Sequence, residues 1–98
     1  MAEEINIDGF IVCAHEVAEK LGVSSAPEQQ IRQKLQEILI GRNYLAALRK
    51  KIITKQEFCN VLIAHLQTLI CRCAHVTEPS SVPDYRAIEK RISALIGQ

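Results

Sequence analysis

The residues best suited to chemistry are Cys71, Cys73 and His75, three potential metal or redox ligands in one short stretch. On an α-helix, residues two apart point roughly 200° away from each other, so Cys71 and Cys73 cannot share an ion there. Cys71 and His75, four apart, can. The surrounding pattern puts both of them on a polar helix face and Cys73 inside an apolar arc. Cys71 and His75 are therefore the candidate metal ligands, but a zinc site needs about four donors. The remainder would have to come from Cys13, His15, Cys59, His65 or a carboxylate. Cys13 and Cys59 fall on apolar stripes, where a thiol packs as a small inert hydrophobe. His65 borders an apolar arc and reads as a packed or solvent-edge histidine. Free, partly buried thiols and no cofactor are the expectation. A thiol or metal sensor built on Cys71 and His75 is an alternative function.

Nothing else in the chain spells catalysis. No Ser-His-Asp, Cys-His or paired-carboxylate arrangement is legible, and the glycines at 9, 22, 41 and 97 are too dispersed for a phosphate loop. The chain reads as a non-enzyme. Its charge pattern is more suggestive: no acid lies between Glu37 and Glu57, while Arg42, Arg49, Lys50, Lys51 and Lys55 all do. With Tyr44 beside them, these cations are the candidate partner-binding residues. Arg49, Lys50 and Lys51 could equally serve the negative end of a helix dipole. With a net charge of +1 and four aromatic residues, the patch favours an acidic protein surface over nucleic acid.

The elements that must position these groups are helices. Ser25-Ala26-Pro27-Glu28 and Ser81-Val82-Pro83-Asp84 both read as helix openings, with a serine cap, a tolerated proline and an acid near the positive end of the dipole. Thr54-Lys55-Gln56-Glu57 is a third, with Ile53 and Phe58 at staple positions. A first helix is expected from about Gly9 to Leu21, capped by Asp8 and stopped by Gly22, with Phe10, Ile11, Cys13, Ala14, Val17, Ala18 and Leu21 inward. A second opens at Ser25 and buries Ile31, Leu35, Ile38 and Leu39, with Glu28 and Arg32 forming a helpful pair. Gly41 interrupts it. A short third helix then starts at Tyr44 and reaches Ile52 or Ile53, or else one kinked helix runs from Pro27 to Lys51. The fourth, from Lys55 to about His75, carries Phe58, Cys59, Leu62, Ile63, Leu66, Leu69, Ile70 and Cys73 over an arc of roughly 140°. An arc so wide requires more than one neighbour. The last helix runs from Pro83 to about Ile96 with Tyr85, Ile88, Ile92, Leu95 and Ile96 inward.

The fold class expected is all-α: one domain over residues 1–98, a compact bundle of four to five amphipathic helices around a long central helix (about 55–75), with 1–7 a loose acidic N-terminus. No apolar run reaches the ~20 residues of a membrane span, and the opening Met1-Ala2-Glu3-Glu4 is unlike a signal peptide. A cytoplasmic protein with reduced cysteines and no membrane partner follows as the expectation. Val12, Ile40 and Val61 fall off their stripes, marking extra core, a partner groove or a homodimer seam. The function expected is a protein-interaction module: an adaptor, chaperone, inhibitor or regulator of a larger protein. The alternative is a nucleic-acid-binding regulator using the basic 42–55 segment.

Ser25-Ala26-Pro27-Glu28, an amphipathic helix, and then Ile52-Ile53-Thr54-Lys55-Gln56-Glu57-Phe58 together resemble the layout of TAFH-type co-regulator domains. That resemblance implies binding of amphipathic helical peptides and assigns no site residue. The segment from Arg42 to Lys51 interrupts the layout.

Overall fold

The structure, a computed structural model, describes residues 7–97. Among them are five α-helices: α1 Ile7–Leu21, α2 Glu28–Gln36, α3 Tyr44–Arg49, α4 Lys55–Ala74 and α5 Arg86–Leu95. α2 runs on without a break into a π-helical turn, Glu37–Gly41. The bundle expected from the periodicity is the fold observed.

The apolar positions recurring every third and fourth residue of α1 account for its packing: Phe10, Ile11, Cys13, Ala14, Val17 and Ala18 are all buried. The helix starts at Ile7, so Asp8 lies in its first turn and is not its cap. There its carboxylate accepts from the Arg32 guanidinium at 2.9 Å, while Glu28 accepts from the same group at 3.3 Å. Of the expected loose N-terminus only Ile7 lies among the described residues, and it is helical. Gly22 ends α1 at φ 73°, a left-handed conformation that glycine adopts without a Cβ clash.

Two of the three expected openings fall elsewhere. Pro27, extended at ψ 139°, occupies the cap position of α2, and no side chain caps that helix. The hydroxyl of Ser25 bonds His15 Nδ1 at 2.7 Å instead. Likewise α5 starts at Arg86 and not at Pro83, with Tyr85 at the cap position. Asp84 rather than Ser81 meets its backbone, accepting from the Arg86 N–H at 3.1 Å. The third opening forms fully. Thr54 Oγ1 accepts from the Glu57 N–H at 3.0 Å, and Glu57 Oε1 accepts from the Thr54 N–H at 2.8 Å.

The π turn is closed by the Arg42 N–H donating to Glu37 O at 2.8 Å. It keeps Ile38 and Leu39 fully inside and turns Ile40 out to 57% exposure. Asn43, left-handed at φ 61°, then separates α3, so the reading as one kinked helix fails. α3 ends at Arg49, short of the expected Ile52 or Ile53, because Lys51 turns left-handed at φ 62°. α4 packs against each of the other four helices, as its wide apolar arc requires. Its Phe58, Leu62, Leu66 and Ile70 interleave with Phe10, Val17, Ile31, Leu35, Ile88 and Ile92 in one buried cluster. The Cα radius of gyration, 13.0 Å, is that of a tightly packed domain of this length.

Candidate functional site

The placement of the thiols reverses an expectation. Cys71 is buried at 3% exposure, whereas Cys73, assigned to the apolar arc, is only half-buried and donates to Gln30 Oε1 at 3.1 Å. The chain after α4 folds back along what would be its polar face. Glu78 accepts from Gln67 Nε2 at 3.1 Å and from Thr68 Oγ1 at 3.3 Å, and the Tyr85 hydroxyl donates to Gln67 Oε1 at 2.6 Å. The returning strap covers Cys71. His75, with φ 59°, is the exposed left-handed residue that caps α4. The pair therefore does not form an open two-ligand face. Among the described residues no three His, Cys, Asp or Glu side chains converge as a metal-binding group.

Burial also governs thiol acidity. Cys13 is pushed up to about 12, by desolvation first and by the neighbouring Glu16 carboxylate second. Desolvation raises Cys59 and Cys71 as well. Thiols so placed stay protonated near neutrality and make poor ligands and nucleophiles. Cys59 merely turns toward the Glu89 carbonyl at 3.9 Å.

The six residues of the basic segment separate into two groups. Arg42 is engaged: its guanidinium donates to Glu37 at 3.3 Å at the end of the π turn. Tyr44 is half-buried, its ring 6.4 Å from that of His65 and tilted by 48°. Burial, with Arg42 and Lys34 nearby, lowers the pKa of His65 and favours its neutral form. These residues belong to a packed flank.

Arg49, Lys51 and Lys55 gather elsewhere, around a recess of about 470 Å³ between α3, the start of α4 and the end of α5. Its apolar lining comes from Leu45, Leu48, Ile53 and Ile96, and no acid among the described residues lines it. Lys50 caps α3, and Ile52, between the lining residues Lys51 and Ile53 in sequence, is 70% exposed. The capping box builds one side of this site: it starts α4 at Lys55, just after Ile53, which packs against the core. Chemically the recess offers an apolar seat edged by cations. The cations are legible in the sequence and the seat is not, because its walls come from residues as far apart as Leu45 and Gly97.

A second cleft of about 460 Å³ lies between α4 and the strap, lined by Ile63, Ala64, Val82, Pro83 and Tyr85. Of its charged lining, Asp84 and Arg86 pair at 3.0 Å and Glu89 accepts from Gln56 Nε2 at 3.4 Å. One acid is left over there, against three cations at the recess. Val12, at 44% exposure, and Ile40 lie on other surfaces of the bundle, and Val61 is half-buried.

Of the layout shared with TAFH-type domains, the 52–58 opening is formed as a capping box and the 25–28 opening is not. No helix among the described residues is long and apolar enough to cross a membrane. Compared with protein-family models, curated proteins and solved structures, the chain matches none.

Proposed function

We propose that this chain is a protein-interaction module that seats part of a larger protein in the recess between α3, the start of α4 and the end of α5. The observation that supports this reading is the apolar lining of Leu45, Leu48, Ile53 and Ile96 in a recess edged by Arg49, Lys51 and Lys55. A concave apolar surface with a few charged groups at its edge is the usual form of a binding site. A nucleic-acid role is less well supported, since Arg42 is engaged with Glu37 and Tyr44 with His65.

The test is quantitative affinity capture from the source cell with the wild-type chain and two recess variants, Leu48→Ser and Ile96→Asp. Both sites are only half-buried, so the helical circular dichroism should persist. At least one protein held by wild type should fall about tenfold with both variants, a loss of roughly 1.4 kcal/mol. Identical capture profiles for all three chains would overturn the reading.

A further inference from the structure

The cations edging the recess specify the chemistry of what enters it. Arg49, Lys51 and Lys55 line it without one acid among the described residues. Lys51 and Lys55 form no ion pair with any described residue. Across helices Arg32 pairs with Asp8 and Arg91 with Glu16, while Lys20, Arg72 and Lys90 are single cations without an ion pair among the described residues; at the recess two such cations edge one apolar surface. Lys55 is also the first residue of α4, where the helix dipole disfavours a positive charge. Local structure gives no reason for a cation there, and an incoming anion does.

We propose that the occupant is an acidic segment of another protein carrying bulky apolar side chains. The apolar anchors enter between Leu48, Ile53 and Ile96, and the carboxylates meet Lys51 and Lys55. This inference rests on the interaction-module reading and adds the chemistry of the partner. Exposed charges of this kind act on the encounter rate and on partner choice more than on raw affinity. Each lysine should therefore contribute a factor of about two to five in binding.

The probe is a fluorescent peptide rich in Asp and Glu with one Leu and one Phe. It is compared with a counterpart carrying Lys for each acid, one carrying Ala for both anchors, and a random single-stranded RNA. Binding is read by fluorescence anisotropy and located by amide chemical shifts. The expected result is that the acidic peptide binds about tenfold more tightly than either counterpart, shifts residues 45–55 and 96, and weakens as salt rises above about 0.15 M. Lys55→Glu should weaken that peptide several-fold without unfolding the chain, because an acid at the first residue of α4 suits the dipole. Lys51→Gln should weaken it in the same direction. Equal binding of acidic and basic peptides, shifts confined to another surface, tighter binding of the RNA, or a self-association that occupies the recess would each overturn the proposal. If the peptides fail while Leu48→Ser and Ile96→Asp still lose captured protein, the partner chemistry is wrong and the module reading survives.

Discussion

Removing the Thr54 hydroxyl tests whether α4 starts where the structure puts it and whether the two serine openings are as inert as they look. In the folded protein the Glu57 N–H has that hydroxyl as its acceptor at 3.0 Å, and the Glu57 carboxylate returns the contact to the Thr54 N–H at 2.8 Å. Thr54→Ala loses the first bond outright and loosens the second. A lost N-cap costs about 1 kcal/mol, within a range of about 0.5–2. For a domain of 98 residues that lowers the melting temperature by about 4–8 °C. With a urea m-value of about 1–1.5 kcal/mol/M, the midpoint falls by about 0.7–1 M. Thr54→Ser keeps the acceptor and should stay within a few tenths of a kcal/mol. Ser81→Ala removes a hydroxyl five residues before α5 begins, and Ser25→Ala removes a partly exposed bond to His15. Both should remain within about 0.5 kcal/mol of wild type. Urea titrations followed by helical circular dichroism decide the order. If Ser25→Ala or Ser81→Ala costs as much as Thr54→Ala, or if Thr54→Ala leaves the midpoint unmoved, the assignment of helix starts is wrong.

Two further outcomes bear on the core and on the thiols. Leu62→Ala, at a fully buried position of α4, should cost about 3–5 kcal/mol, and Leu69→Ala, 9% exposed, nearer 2 kcal/mol; equal or reversed urea midpoints would contradict the packing described. Cys73 should be the first thiol to react with a disulfide reagent in the native protein, with Cys13, Cys59 and Cys71 following only on unfolding. Rapid native-state modification of Cys71, located by peptide mapping, would mean that the strap does not cover it.

The parts of the fold legible in the sequence were those decided locally. The apolar arc of α4 needs only helical periodicity, and the Thr54–Glu57 box closes within one turn. The Ser-x-Pro-acid openings failed for a reason also local but misweighted. A proline disfavours helical geometry in the residue before it, so the chain stays extended through Ala26-Pro27 and Val82-Pro83 and the helices begin later. Cys71 was misplaced for a non-local reason. A helical projection knows nothing of a strap that returns over the helix and anchors Glu78 on Gln67 and Thr68. The recess was invisible on the same ground, since Ile96 and Leu45 meet only in three dimensions.

The basic segment shows how structural and functional demands on the same charges can be separated. Arg49 stands in the last turn of α3 and Lys50 at its cap, where a cation offsets the negative end of the dipole by about 0.3–1 kcal/mol and no partner is needed to explain it. Lys51 lies past that helix in a left-handed conformation, which Gly22, Asn43, His75 and Gly97 also adopt among the described residues. Holding a lysine there costs about 1 kcal/mol that glycine would not. Lys55 then opens the next helix with the charge its dipole disfavours. Two consecutive departures from local preference, both at the edge of one apolar recess, are what a binding surface retained against stability should look like. On the proposed reading, Arg49 and Lys50 would serve the fold, and Lys51 and Lys55 would serve the partner.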